Sequence, residues 1–335
     1  MKHREQPLVT VILTAFNHQR FIEECLRSVF EQHYTNIQLV VIDNASTDDT
    51  LLIIEKLQAD FPDFILVKNV FNKGLCKAFN QGLALAEGKY VIDLSGDDVF
   101  LPNRIGQQVE AFEDCSDEYA VVFSNARYID VDSKPLQCHY HVNLAGRATG
   151  SVPSGDVYKK VLEKYFICTP TMMMRTKVLR EIGGYDESLH FEDFDFWVRS
   201  AVKYKYYYVD EVLTLKRDTP GSLRTKVYQK GSGILASYYA VCNKAYDLNR
   251  DQEEFDLLAK RIRTCIRKCL YAQEFELAVK FRKLLNYIEN PGWQTEMVVF
   301  LCRLHVPVNF FYRFYINNIY KFFSRRKDLA FDIVN

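Results

Sequence analysis

Within its first hundred residues the chain changes hydrophobic period several times. Leu8–Leu13 (LVTVIL) is a β-rich apolar run, and over Arg20–Gln32 the apolar residues Phe21, Ile22, Cys25, Leu26, Val29 and Phe30 recur at helical spacing. Ile37–Ile42 (IQLVVI) is a second run, closed by Asp43-Asn44. Ser46-Thr47-Asp48-Asp49 then offers N-cap residues for a helix reaching Leu57. Phe64–Val67 reads as a third strand, Lys73–Ala86 as a third helix and Tyr90–Leu94 as a fourth strand. This alternation predicts βαβ units and a mainly parallel sheet. The near-continuous apolar runs suit strands covered by helices on both faces.

Further along, Pro102–Phe112 reads as a helix opened by proline, and Tyr119–Ser124 as a strand. Residues 132–156 are polar and read as one long loop. Phe166–Met174 reads as a strand, followed by a short helix stopped by Gly183-Gly184. Asp195–Val202 is expected to be helical and Tyr206–Leu215 to be a strand. From about Thr225 the strand patterns vanish, and Ile234–Leu248, Gln252–Tyr271 and Glu274–Ile288 read as helices. Val298–Arg326 is rich in Phe and Tyr, with Arg303, Arg313, Lys321, Arg325 and Arg326 interspersed. A chain of 335 residues holds about two domains at ~100–200 residues each. The expected organisation is an α/β domain over 1–223 and an all-helical region over 224–335.

The formal charge is zero, which argues against a dedicated nucleic-acid binder. That zero hides a split. Residues 1–223 carry 24 basic and 32 acidic groups, and residues 224–335 carry 19 and 11. Nine cysteines, an odd number without paired spacing, and a polar N-terminus point to a reduced cytoplasmic compartment. No window of 18 uncharged apolar residues exists, so no membrane-spanning helix is expected. The basic, aromatic C-terminal stretch suggests peripheral contact with the inner face of the cell membrane. Pro307 should divide it into two short helices.

In an open α/β sheet, ligands bind beyond the carboxyl ends of the strands. Those ends carry Thr14-Ala15-Phe16-Asn17, Asp43-Asn44-Ala45-Ser46, Asn69 with Asn72-Lys73-Gly74, and Ser95-Gly96-Asp97-Asp98. Each alone is an ordinary cap or turn; four together describe a site. No GxGxxG follows the first strand and no GxxxxGK[ST] occurs, so dinucleotide and P-loop readings fail. Asp97-Asp98 on a glycine turn suits a hard cation that leaves positions open for phosphates. Glu192, Asp193 and Asp195 lie within four residues, and their mutual repulsion should raise carboxylate pKa values, as suits a general base. The plain alternative is a helix N-terminus carrying acids.

Four segments then resemble the inverting glycosyltransferases of family 2, with the GT-A fold, of the bacterial surface-polysaccharide type. They are PLVTVILTAFN, LVVIDNASTDDT, the stretch NKGLCKAFNQGLALAEGKYVIDLSGDDVFLPNRI, and GGYDESLHFEDFDFWVRSA. Together they span roughly residues 7–223. The resemblance implies a Rossmann-like nucleotide-binding sheet and transfer of a hexosyl-type sugar from a nucleotide donor, most often a UDP-sugar, to a saccharide or lipid-linked saccharide. It places Thr14, Ala15 and Asn17 in the nucleotide pocket and Asp43 on the base. Asn72, Gly74 and Lys77 fall near the ribose or diphosphate. Asp97 and Asp98 fall on the Mn²⁺ or Mg²⁺ side, with Asp98 the metal ligand. Asp193 becomes the general base and Glu192 its supporting neighbour. The chain departs from the family pattern at Ser95 (often Asp), Asn44 (the second Asp of a pair), Ala45 (usually Gly) and Lys216-Arg217-Asp218, where a His is common.

Two other classes compete. A nucleotidyltransferase should carry a Gly-rich, Arg/Lys-bearing turn after the first strand, which Thr14–Asn17 lacks. A non-catalytic carbohydrate-binding scaffold would have no need of Asp43, Asp98 and Asp193 together. Cys138, His139 and His141 are metal-capable, but without a second cluster they read as a surface loop. Cys265 and Cys269, one helical turn apart, read as core thiols.

Overall fold

The computed structural model describes residues 6–219 and 226–308. The chain divides into two compact units, Met1–Val157 with Phe166–Pro220, and Tyr158–Tyr165 with Gly221–Asn335.

The first unit is built on a nine-stranded sheet in the order β3-β2-β1-β4-β8-β6-β9-β5, with β7 paired to β6. The strands are β1 Val9–Ala15, β2 Ile37–Asp43, β3 Phe64–Lys68, β4 Tyr90–Ser95, β5 Val99–Phe100, β6 Tyr119–Ile129, β7 Pro135–Cys138, β8 Met173–Arg175 and β9 Lys205–Arg217. Strands β3, β2, β1 and β4 are mutually parallel. Strand β8 joins β4 and β6 antiparallel, and β9 runs parallel to β6 but antiparallel to β5. The sheet is therefore mixed, with its parallel half where the period switches are sharpest.

The helices of this unit are α1 Ile22–Phe30, α2 Thr50–Asp60, α3 Leu75–Leu85, α4 Arg104–Asp114, α6 Thr176–Glu181 and α7 Asp193–Ala201. All seven residues of β1 are buried, as a central strand covered on both faces requires. Val9, Val11 and Leu13 pack with Ile22, Cys25, Leu26 and Val29 of α1, Ile54 of α2, and Ile105 and Phe112 of α4. Ile12, of opposite parity, meets α3. A Cβ at Gly82 would lie 2.4 Å from Ile12 Cγ2, so only glycine lets helix and strand approach this closely.

Two stretches differ from the sequence pattern. Phe166–Met174 is not one strand. Pro170 sits in a 3₁₀ turn, Thr169–Thr171, leaving only the short β8. Proline lacks the N–H a ladder needs, and this overrides the apolar run. The polar stretch 132–156 contains the short strand β7, paired to β6 across a bulge. Its residues Pro135–Gln137 are exposed, so no apolar alternation marks it.

The second unit is helical among its described residues: α5 Tyr158–Glu163, α8 Ile234–Leu248, α9 Gln252–Ala272, α10 Phe275–Leu285 and α11 Trp293–Arg303. Asp251 caps α9 by accepting from the Glu254 amide at 2.9 Å. α9 packs against α5, α8, α10 and α11. Much of the stretch expected at Val298–Arg326 lies outside the described residues. All nine cysteines are free thiols, Cys265 and Cys269 among the buried ones. No helix among the described residues is long and apolar enough to cross a membrane.

Candidate active site

Sheet register levels the strand ends. Ala15 pairs with Asp43, Asp43 with Lys68, and Thr14 with Ser95. Four loops therefore leave the parallel half at one edge, and side-chain hydrogen bonds knit those after β1, β2 and β3 together. The Asn17 amide N–H donates to Ser46 Oγ (3.1 Å), and Asn17 Oδ1 accepts from the Thr47 amide (2.8 Å). Asn17 itself has φ +58°, a left-handed conformation that Asn tolerates. The side chain read as a nucleotide contact is thus engaged in holding the β1 and β2 loops together.

Asn44 is the hub, and reading the sequence assigned it no role. Its Nδ2 donates to Asn72 Oδ1 (3.0 Å) and to the Gly74 carbonyl (3.4 Å). Its Oδ1 accepts from Asn69 Nδ2 (3.1 Å) and the Lys73 amide (3.0 Å). Asn69 pairs in turn with Gln81 of α3. A carboxylate could accept these bonds but not donate them, which explains why an Asn stands where the resemblance leads one to expect Asp. Gly74 opens α3 at φ +84°. Lys77 is exposed on the first turn of α3.

Asp43 is 1% exposed. Its Oδ2 accepts from the Ser46 amide (3.2 Å), while Oδ1 is buried with no protein partner. A buried carboxylate oxygen left unpaired is costly, and a donor from outside the chain would relieve that cost.

After β4, Ser95 Oγ donates to Asp97 Oδ1 (2.6 Å). Gly96 has no room for a side chain: a Cβ there would sit 2.6 Å from His18 Nδ1. Asp97 is half-buried and Asp98 buried. Asp98 Oδ1 accepts from the Arg217 amide (2.9 Å). Burial and the neighbouring Asp97 push the Asp98 carboxyl up to about 7. Among the described residues no three His, Cys, Asp or Glu side chains cluster as a metal cage. Two crowded carboxylates on one turn still suit Mg²⁺ or Mn²⁺, which take one or two carboxylates and fill the remaining positions with water and phosphate oxygens.

The third cluster opens α7. Asp195 is neutralised by Arg199 (2.6 Å), whose guanidinium also donates to the Ile182 and Gly184 carbonyls. Asn80 of α3 accepts from the Tyr185 amide and donates to its carbonyl, fixing the Gly183-Gly184 turn. The remaining acids are Glu192, buried, and Asp193, half-buried. Thr169 Oγ1 donates to Asp193 Oδ2 (3.4 Å), and Oδ1 receives the Phe194 amide (2.6 Å). Burial, Asp193 and Asp93 lift the Glu192 carboxyl well above its ordinary range. Asp93 of β4, also unassigned in the sequence reading, is raised by burial to about 7 and accepts from the Tyr185 hydroxyl (3.1 Å).

Strand β9 supplies the cations. Arg217 is consumed structurally, donating to the Asp97 and Asp130 carbonyls, Ser133 and Glu24. Lys216, of opposite parity, lies in the field of both acidic clusters. Burial opposes its charge, but Cys168, Asp98, Tyr128 and Asp193 outweigh it and lift its pKa. His139 is no metal ligand here: Nδ1 meets the Tyr128 hydroxyl (3.2 Å), Nε2 meets the Phe166 carbonyl (2.8 Å), and burial lowers its pKa.

Residues 10–183 match the family model described as glycosyl transferase family 2. The chain belongs to that family. The putative glycosyltransferase EpsE of Bacillus subtilis is 30% identical over 243 residues, covering 71% of this chain and 83% of EpsE. An uncharacterised glycosyltransferase of Methanocaldococcus jannaschii is 29% identical over 219 residues, covering 62% and 70%. Among solved structures, S. aureus TarS 1–349 in complex with UDP-GlcNAc superposes with a TM-score of 0.64 at 16% identity, covering 90% of this chain and 89% of that one. The mannosyltransferase PcManGT of Pyrobaculum calidifontis, in complex with GDP-Man and Mn²⁺, gives 0.57 at 15% identity, covering 92% and 88%. The fold is GT-A, and this family 2 member is a glycosyltransferase.

Proposed function

We propose that the enzyme transfers a sugar from a UDP-sugar to a hydroxyl of a saccharide or lipid-linked saccharide, with inversion and with a divalent metal, in the building of a cell-surface polysaccharide. The observation that carries this reading is the unpaired, buried Asp43 Oδ1 at the levelled strand ends. A nucleobase imide N–H is the donor such an oxygen takes, and uracil carries one. Thr14 and Ala15 lie buried at the end of β1 beside it, and the Asn17–Ser46–Thr47 and Asn44–Asn72–Gly74 bonds preorganise the surrounding loops. Lys77 stands on the diphosphate side.

Breaking the sugar–phosphate bond leaves negative charge on the departing diphosphate. Asp97 and Asp98 would hold Mn²⁺ or Mg²⁺, which when bound offsets that charge. Asp97, the more open of the pair, is our choice as the principal ligand, with Asp98 braced beneath it by the Arg217 amide. Asp193 takes the proton from the acceptor hydroxyl. Glu192, whose surroundings favour its neutral form, leaves that role to Asp193 and can donate a hydrogen bond to the acceptor. Lys216 carries its positive charge in the field of Asp98 on the metal side and Asp193 on the base side.

The test is a thermal-shift panel of UDP-, GDP- and dTDP-sugars with and without Mn²⁺, followed by turnover. UDP-sugars should stabilise, and more so with metal. Asp193→Asn should abolish transfer while sparing donor binding. Absence of any shift would defeat the donor assignment, and undiminished turnover in Asp193→Asn would remove it as the base.

A further inference from the structure

Helix α11 buries one face and exposes the other. Thr295, Val299 and Cys302 point into the helical unit. Opposite them Trp293 (73% exposed), Met297 (50%), Phe300 (57%) and Leu304 (58%) form an apolar stripe at spacings of four, three and four. The bonds nearby are spent: Glu296 is paired with Arg282 (2.7 Å) and Glu289 with Arg263. Lys280 and Lys283 of α10 and Arg303 of α11 are exposed. Tyr287, also largely exposed, lies in the turn between them.

We infer that this α11 face is a membrane-surface contact that seats Trp293, Met297, Phe300 and Leu304 among the headgroups of an anionic lipid bilayer. A second copy of the chain is a poorer occupant. Four side chains offer roughly 500 Å² or less, against the ~800 Å² per partner of a stable interface. Tryptophan at one end suits the headgroup boundary, where its ring is half apolar and its N–H stays wet. The neutralised acids and exposed lysines suit anionic lipid. An apolar face, basic flanks and modest length are the marks of a helix that lies on a bilayer rather than through it. The chain's further 27 residues continue rich in Phe, Tyr, Lys and Arg.

The chain holds two tryptophans, and Trp197 is 1% exposed. Trp293 is thus a native reporter. Phosphatidylcholine vesicles with and without phosphatidylglycerol are titrated into the full-length enzyme, following emission and co-sedimentation. The inference expects a blue shift and co-sedimentation with the anionic vesicles, weakened by salt. Trp293→Phe should lose the shift. Met297→Ser with Phe300→Ser should weaken partitioning ~10-fold or more, with circular dichroism and donor-sugar hydrolysis unchanged. Binding without a blue shift, or binding indifferent to the double substitution, would overturn it by placing the contact elsewhere. Concentration-dependent self-association without vesicle binding would overturn it in favour of a second copy. Because vesicle binding needs no turnover, its failure is separable from failure of the transfer reading.

Discussion

The most exacting test of the site's construction is Asn44→Asp, a change toward the residue the family pattern favours. Asn44 is 5% exposed and makes four hydrogen bonds. Its two donated bonds end on oxygens, Asn72 Oδ1 and the Gly74 carbonyl. An aspartate keeps the accepted bonds but turns a second carboxylate oxygen toward both acceptors. Each buried group left unpaired costs about 1–3 kcal/mol. Two such losses, partly relieved by relaxation of the exposed Asn72 loop, give about 2–4 kcal/mol. At roughly 2–4 °C per kcal/mol for a unit near 200 residues, the melting midpoint should fall by about 4–16 °C.

The sign of the pH dependence gives a second reading. The introduced carboxyl is favoured folded when protonated, because only then can it donate. Its folded pKa therefore lies above its unfolded value. The stability it retains is present below the unfolded pKa and lost as pH rises through the folded one. The gap to wild type should narrow toward pH 4 and widen toward pH 8. Asn44→Ala loses the same partners without charge and should show a constant gap. Thermal melts of the three proteins across that range decide the matter. An Asn44→Asp protein as stable as wild type at pH 8 would refute the hub.

Other consequences follow from the same geometry. Ala45 holds φ +64°, so Ala45→Gly should raise stability by roughly 1 kcal/mol, read by urea denaturation. Gly184 has φ +71° and a Cβ there would lie 2.6 Å from Asn80 Oδ1; Gly184→Ala should cost about 2 kcal/mol or more and lower kcat by displacing Asp193. Asp93 is raised to about 7 by burial, so it withdraws stability as pH rises from the ordinary carboxylate range through 7. Asp93→Asn should accordingly melt higher than wild type by a margin that grows between pH 5 and 8. Lys216→Gln should depress kcat tenfold or more with little change in donor KM, and Lys216→Arg should restore most of it.

The parallel half of the fold was legible because its strands are central. β1 is buried throughout, so its composition answers only to burial and shows as an unbroken apolar run. The antiparallel additions were harder. β7 is a short exposed edge, and β8 is cut to three residues by the Pro170 turn, so neither carries a period long enough to read. The acids singled out in the sequence lie where their spacing put them, Asp43 at the end of β2, Asp97 and Asp98 just past β4, and Glu192 and Asp193 at the start of α7. What holds them was not legible, because Asn44, Asn69, Gln81 and Asn80 look like any loop or helix-surface amide until register brings them together. Lys216 stood in the sequence only as part of a departure from the family pattern, and strand parity is what separates it from Arg217.

That parity bears on the chain's departures. Arg217 spends its guanidinium on Asp97 and Asp130 carbonyls, Ser133 and Glu24, and its amide on Asp98. It therefore shapes the turn that carries both acids, while Lys216 faces their charge. With Ser95 donating to Asp97 where an acid is common, the turn holds one carboxylate fewer. Fewer acids bind a divalent cation more weakly. On the proposed reading, the Lys216 ammonium would compensate part of the leaving-group charge but also compete with the metal for the same carboxylates. Lys216→Gln should then tighten Mn²⁺ binding even as it slows transfer, whereas Ser95→Asp should tighten it without that loss. Calorimetric titration of Mn²⁺ into the three proteins separates this from a purely structural lysine, whose removal would weaken metal binding along with everything else.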